Sequence, residues 1–293
     1  MPNNSAVSSA VAKNIIHNPK IEAKPFVKWV GGKRKVLPQL VDFLPAQIEH
    51  YYEPFVGGGA MFFHLRSQGL LQNNKITLSD ANLRLVRTYR AIRDNVALVI
   101  SKLETHQKHH SKEYFYQVRD LPVDQFVHDA DVAAWFIYLN KTAFNGLYRV
   151  NKSNQFNAPF GKYENPNICD TTTLLACHKA LQTVGIVHQS FDLVCLAAHE
   201  GDFVYFDPPY VPVSLTASFT SYTHEGFGSK EQLTLRDLAQ ELKDKGASVM
   251  LSNADHPLVR EWYKDFNVAS IQVGRSINCQ SDKRGSVGEV VIV

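Results

Sequence analysis

The tetrapeptide Asp207-Pro208-Pro209-Tyr210 constrains this chain most, because it directly follows the apolar run Phe203-Val204-Tyr205-Phe206. A short apolar run of that kind reads as a buried strand, and two consecutive prolines end it because neither has an N–H to give to a sheet ladder. The pattern predicts a carboxylate at a strand's carboxyl end. It also leaves the Pro208 carbonyl free to accept from outside the backbone, with the flat face of Tyr210 beside it. A carboxylate, a free carbonyl and an aromatic plane suit a planar ring bearing an exocyclic NH2, whose two N–H bonds each need an acceptor. The same residues also read as a loop that caps a strand, and Asp-Pro-Pro alone does not separate the two.

A second strand signal, Tyr51-Tyr52-Glu53-Pro54-Phe55-Val56, runs into Gly57-Gly58-Gly59, after which Ala60 to Leu65 has helical potential. Strand, glycine turn and helix start form the geometry by which open α/β sheets present a helix N-terminus to a ligand. Ile76-Thr77-Leu78-Ser79-Asp80 then reads as a strand ending in an acid 21 residues after Gly59. An acid there binds ribose hydroxyls or an ammonium, or caps the next helix. That helix is expected over Leu83 to Leu103, with Arg84, Arg87, Arg90 and Arg93 on a mainly solvated face. Further strands are expected at Ile186–His188, Phe203–Phe206, Ser248–Leu251, Val268–Val273 and Val287–Val293, with helices at Glu231–Lys243 and His256–Tyr263. The alternation predicts an α/β fold, a mostly parallel sheet with helices on both faces. Residues 105–185 depart from it, with helical runs such as Val132 to Phe144, and are expected to form an insert.

Two stretches carry basic and aromatic residues together. Lys24 to Lys35 has five basic residues in twelve positions around Trp29 and Gly31-Gly32, without the spacing of a phosphate-binding P-loop. Phe144 to Tyr163 mixes Asn, Gln, Arg, Lys and aromatic residues, which suits base recognition but also a plain surface loop. The net charge of +3 is too small to identify a nucleic-acid binder by itself. No apolar run approaches a membrane span and residues 1–23 are polar, so a disordered lead and a cytoplasmic protein are expected. The four cysteines, Cys169, Cys177, Cys195 and Cys279, form no zinc spacing, so free thiols and no metal are expected.

Taken in order, Lys28-Trp29-Val30-Gly31-Gly32-Lys33, Glu53 to Gly59, Tyr138-Leu139-Asn140 through Phe160-Gly161, and Asp207 to Tyr210 resemble the DNA adenine-N6 methyltransferases of the Dam type, which methylate GATC. The order of the motifs is that of the alpha group. Thr216–Tyr222, Leu251–Asn253, Arg260–Tyr263 and Arg275–Ile277 extend the resemblance over nearly everything from residue 24 onward. It implies a Rossmann-like class I methyltransferase fold, with residues 24–104 and 186–293 as catalytic domain and 105–185 as a helical target-recognition insert.

The resemblance further implies S-adenosylmethionine as cofactor, with S-adenosylhomocysteine as product, and double-stranded DNA as partner of a monomeric enzyme. Trp29, Lys33, Asp80 and Asp207 would surround the cofactor's polar groups. Glu53, Pro54, Phe55, Gly57 and Gly59 would turn against its methionine half, and Phe191 would pack on its adenine. Asp207, Pro208, Pro209 and Tyr210 would hold the target base. Lys28, Phe144, Asn145, Leu147, Arg149, Pro159 and Lys162 would meet DNA, with Arg149 on guanine. Phe144 stands where familiar members have Tyr and Lys162 where Arg is common, which loses a hydroxyl and a bidentate fork. Methylation of cytosine N4, methylation of a protein amide, and a non-catalytic DNA-binding regulator remain alternatives at this point.

Overall fold

Side chains along the strands alternate between two apolar layers, and this alternation builds the molecule. The computed structural model describes residues 23–33, 36–211, 227–271 and 288–293. Seven strands, β1 (His50–Glu53), β2 (Lys75–Asp80), β3 (Gly185–His188), β4 (Phe203–Phe206), β5 (Ser248–Ala254), β6 (Val268–Ile271) and β7 (Glu289–Ile292), form one sheet in the order β3-β2-β1-β4-β5-β7-β6. Pairing is parallel from β3 across to β5 and antiparallel where β7 inserts between β5 and β6. Tyr51, Phe203, Tyr205, Met250 and Val291 face one core, while Tyr52, Val204, Phe206, Leu251 and Ile292 face the other. A period of two thus supplies apolar residues to both faces, as a sheet covered on both sides requires.

The helices are α1 (Leu37–Leu40), α2 (Ala60–Ser67), α3 (Leu83–His109), α4 (Lys112–Arg119), α5 (Asp129–Thr142), α6 (Thr171–Leu181), α7 (Ser229–Asp244) and α8 (Pro257–Trp262). Helices α7 and α8 cover the second face through Leu235, Leu238, Leu242, Val259 and Tyr263. The first face is covered by α2, α3, α5 and α6, and its core runs without a break from Leu78 and Tyr89 to Trp135 and Phe156 of the insert. Helix α5 is buried almost all round, which suits its apolar sequence. No helix among the described residues is long and apolar enough to cross a membrane.

Three expectations need correction. Strand β1 ends at Glu53, because Pro54 begins the turn. Helix α3 runs on to His109 across a kink at Asn95 (φ −150°, ψ 55°), and its N-cap is Asn82, not Asp80. The four arginines of α3 are anchors and not a solvated face. Arg84 is buried and grips both carboxylate oxygens of Asp124, at 2.7 and 2.6 Å, and Arg87 holds Asp129 at 2.5 Å. Arg90 donates to the Ile186 carbonyl and Arg93 to that of Val184, both at 2.8 Å. A step of three residues drifts around a helix of period 3.6, so the first pair reaches the insert and the second pair the edge strand β3 and the residue before it. Cys177 is buried and Cys169 partly so, both unbridged. The side chains of Cys195 and Cys279, and the segments Thr216–Tyr222 and Arg275–Ile277, lie outside the described residues.

Candidate active site and reading surface

Neighbouring parallel strands end side by side, so their last residues meet. Strands β2, β1 and β4 are adjacent and end in Asp80 and Glu53 or run into Asp207, and all three carboxylates line one cavity of about 840 Å3. Ligands of open α/β sheets bind in the crevice beyond these carboxyl ends. Lys33, Trp29, Phe55, Phe191, Pro208 and Tyr210 also line it.

The glycine turn shapes the cavity's wall. Gly57 has φ +47°, and a Cβ there would lie 2.6 Å from the Trp29 ring. That ring cannot easily retreat, since it stacks on Tyr148 and Phe136 at 5.9 and 6.3 Å between centroids. The Tyr89 hydroxyl donates to the Gly57 carbonyl at 3.0 Å, and the Gly57 N–H donates to Asp80 Oδ2 at 3.1 Å. Gly59 (φ +68°) starts α2 close under the Tyr89 hydroxyl, and Pro54 is buried behind the turn. Phe55 and Phe191 stack at 5.2 Å, and Phe227 meets both edge-on, making an aromatic box.

Burial strains these acids. Glu53 is only 2% exposed, and desolvation raises its carboxyl to about 8, although it accepts from the Tyr51 hydroxyl and the Phe62 N–H. Asp80 is raised to about 6 by desolvation, which its bonds from Asn82 and Gly57 only partly offset. Asp207 is also pushed up by desolvation, against the opposing pull of Lys33. Its side chain keeps 23% of its surface and lines the cavity.

Around Asp207 the donors and acceptors are almost all assigned. Lys33 Nζ, on a side chain 2% exposed, lies 3.0 Å from Asp207 Oδ1 and donates to the Gly31 carbonyl and the Tyr210 hydroxyl. The Pro209 carbonyl accepts from Gln232 Nε2 at 2.8 Å, and Gln232 is held in turn by the buried Asn253. Among the described residues, no hydrogen bond reaches Asp207 Oδ2 or the Pro208 carbonyl. Asp207, Pro208 and Tyr210 all line the cavity, Pro208 as a buried residue.

The basic and aromatic loop lies next to the cavity. Its ends are tied together: Phe144 N–H donates to the Pro159 carbonyl at 2.8 Å, and Ala143 bridges Phe160. Phe144, Asn145, Arg149, Pro159 and Lys162 are exposed, whereas Leu147 is half-buried against the core. Arg149 is held by Asn157, its Nε donating to Oδ1 at 2.7 Å and its Nη2 to the backbone carbonyl at 3.0 Å. Lys28 is exposed at the cavity, with its side chain against Gly146 and its Nζ over the Tyr163 ring at 4.4 Å.

Sequence reasoning gave no role to Glu289, Gln232, Tyr89 or the side chain of Asn140, which the fold brings to these surfaces. Glu289 sits at the start of β7, and the only sequence signal for it is an acid opening a terminal strand. Among the described residues no group of three or more His, Cys, Asp or Glu side chains could hold a metal ion.

A mostly parallel sheet in this order, with its last strand inserted antiparallel and its cavity at the carboxyl ends, is the class I methyltransferase fold. The chain is 42% identical over 284 residues to the Type II methyltransferase M1.LlaDCHI of Lactococcus lactis subsp. cremoris, covering 95% of this chain and 98% of that one. It is 39% identical to the Type II methyltransferase M.MjaIII of Methanocaldococcus jannaschii, over 90% of this chain and 96% of that one. With the DNA adenine methylase of Escherichia coli K12 it shares 31% over 274 residues, 92% of this chain and 94% of the other. Residues 29–277 match the model of the D12 class N6 adenine-specific DNA methyltransferase, and the chain belongs to that family.

Proposed function

We propose that the protein transfers a methyl group from S-adenosylmethionine to N6 of an adenine flipped out of duplex DNA, within the sequence GATC. The observation that carries this reading is the pair of acceptors that no described hydrogen bond reaches, Asp207 Oδ2 and the Pro208 carbonyl, on residues that line one cavity with Tyr210, Glu53 and Asp80. The cavity fits the cofactor's chemistry. Its volume of about 840 Å3 lies within the range of small-molecule sites. Its desolvated carboxylates gain from a ligand bearing ammonium and sulfonium charge, and the box of Phe55, Phe191 and Phe227 offers faces to a flat base. When bound, S-adenosylmethionine supplies an electrophilic methyl group. Glu53 and the Pro54-to-Gly59 turn would hold the methionine half, Asp80 would take the ribose hydroxyls, and Trp29 and Lys33 would close the pocket.

The remaining work falls to the chain. Adenine N6 is a poor nucleophile because its lone pair is delocalised into the ring. Accepting its two N–H bonds at Asp207 Oδ2 and the Pro208 carbonyl favours a more tetrahedral nitrogen and stabilises the positive charge that develops there. Gln232, by occupying the Pro209 carbonyl, holds the turn so that the neighbouring carbonyl points at the base. Tyr210 stacks on the base, whose amino group is otherwise paired in the duplex. No residue of the chain would bond covalently to the methyl group: as the N6–C bond formed the S–C bond would break, S-adenosylhomocysteine would leave, and N6 would lose its extra proton to Asp207 or to solvent.

Residues 105–185 form the target-recognition part. Arg149 bonds guanine, Phe144, Leu147 and Pro159 stack or wedge, and Lys28, Asn145 and Lys162 hold the site's flanks. The relatives' printed names, DNA adenine methylase among them, support adenine methylation of DNA. The test is transfer from labelled S-adenosylmethionine to two duplexes differing only in whether GATC is intact or scrambled. Labelled N6-methyladenine in the GATC duplex alone is expected, and equal labelling of both removes the site specificity. Asp207→Ala is expected to abolish turnover while DNA binding persists; substantial methylation by that variant overturns the mechanism.

A further inference from the structure

The antiparallel strand β7 brings to the site a residue that the reaction above does not use. Because β7 runs against its neighbours, its first residue, Glu289, lies at the carboxyl edge of the sheet, in register with Ala254 at the end of β5. The preceding Gly288 is tied down by its carbonyl, which accepts from Asp255 N at 2.7 Å. Glu289 Oε2 accepts from the Tyr210 hydroxyl at 3.0 Å and lies 3.5 Å from Lys33 Nζ, and its side chain is 21% exposed. The Tyr210 hydroxyl in turn accepts from Lys33, whose ammonium also sits 4.2 Å above the Tyr210 ring centroid. A directed chain therefore runs from Lys33 through Tyr210 to Glu289, and Lys33 is shared between Glu289 and Asp207.

From this geometry we infer that Glu289 is a positioning residue for methyl transfer, acting on the target base through Tyr210 and on Asp207 through Lys33. The inference rests on the adenine-methylating reading above. Two physical effects support it. A tyrosine ring pivots about its side-chain bonds, so anchoring the hydroxyl fixes the plane on which the flipped base stacks. A lysine paired with one carboxylate polarises it fully, whereas a second carboxylate divides that pull. Asp207 then stays electron-rich enough to accept from an amino group. Removing Glu289 takes from the Tyr210 hydroxyl the acceptor described above and leaves Lys33 with Asp207 as its one carboxylate among the described residues.

The experiment measures single-turnover methylation and the KM for S-adenosylmethionine and DNA in the full-length wild type, Glu289→Ala, Glu289→Gln, Tyr210→Phe and the Tyr210→Phe/Glu289→Gln double variant. The expected result is at least a tenfold fall in the methylation rate of Glu289→Ala, with both KM values within about threefold of wild type. Glu289→Gln keeps a neutral acceptor for Tyr210 at the same length, so it is expected to recover part of that rate. The double variant is expected to lose less than the product of the two single losses, because both changes act on the Tyr210–Glu289 contact. Three results overturn the inference: a wild-type rate in Glu289→Ala, a loss confined to either KM, or a double-variant loss equal to the product of the single losses. An unfolded Glu289→Ala leaves the question to Glu289→Gln and the double variant, which read the same coupling. Absence of adenine methylation by the wild type would instead count against the adenine-methylating reading itself.

Discussion

Glu53 shows at the scale of one residue how burial keeps a carboxyl in its neutral form. Its carboxyl is held near 8 because burial disfavours the charged form more than the Tyr51 and Phe62 donors favour it. A group raised from its ordinary 4.5 contributes stability that is fully present below that value and is lost as pH rises towards 8. The free enzyme should therefore melt at progressively lower temperature across that window, a shift that differential scanning calorimetry reads directly. Binding of a cationic donor has the opposite sign, because the ligand favours the ionised acid. Affinity for S-adenosylmethionine should rise from pH 6 to pH 8 with release of a proton, measurable by titration calorimetry in buffers of different ionisation heat. Glu53→Gln should bind about tenfold or more weakly, as expected for losing a charge-assisted contact, and its remaining pH dependence should fall to the range near 6 set by Asp80. The sequence placed Glu53 inside a strand signal running on to Val56 ahead of a glycine turn, and the structure ends the strand at Glu53 itself. The size of its shift depends on the cover supplied by α2 and β4, which no local pattern encodes.

At the scale of elements, Asn140 joins the two working parts of the molecule. It is fully buried near the end of α5, with Oδ1 accepting from Lys28 N at 2.7 Å and Nδ2 donating to the carbonyls of Lys28 and Gly146 at 2.8 and 2.9 Å. One amide thus fixes the Lys28–Trp29 segment at the cavity against the Phe144–Gly146 turn of the loop. Asn140→Ala leaves three backbone groups without their partner, the Gly146 carbonyl buried and the two groups of Lys28 part-buried, and a fully buried one costs about 1–3 kcal/mol. We expect a loss of about 3 kcal/mol in chemical denaturation and a smaller ratio of kcat/KM between a GATC duplex and one with a single base changed. Asn140→Asp, which keeps the acceptor and loses both donors, should fall between wild type and Asn140→Ala in both measurements. An unchanged discrimination ratio in the folded Asn140→Ala fraction would show that the staple serves stability alone. The extent of α3 and the role of its arginines likewise came from packing. A series spaced by three reads as exposed until the partners Asp124, Asp129, Val184 and Ile186 are placed around it.

For the molecule as a whole, a net charge of +3 says little until it is located. Lys24, Lys28 and Lys141 line the cavity, and Arg149 and Lys162 are exposed on the loop beside Lys28. DNA affinity should fall steeply with salt, since each phosphate neutralised contributes a log–log slope of about −0.9 through counterion release. Lys162→Ala should weaken all duplexes alike and reduce that slope by about one, whereas Arg149→Ala should leave the slope nearly unchanged and cost about 1–3 kcal/mol of base discrimination. Filter binding across a salt series separates the two, and a flat salt response would remove the phosphate contacts from the account. The strands were legible in the sequence because burial on both faces demands short apolar runs, and the strand ends were legible because glycines, prolines and acids interrupt those runs. Those are local requirements, and residues a few positions apart satisfy them. The motif resemblance already gathered Glu53, Asp80 and Asp207 around one expected cofactor, whereas the tertiary structure alone decided that Glu289 joins Tyr210 across 79 residues and that Asn140 reaches Lys28 across 112. Such contacts depend on which strands lie side by side and in which direction they run, and a polar side chain carries no mark of its partner until the sheet has set the distance between them.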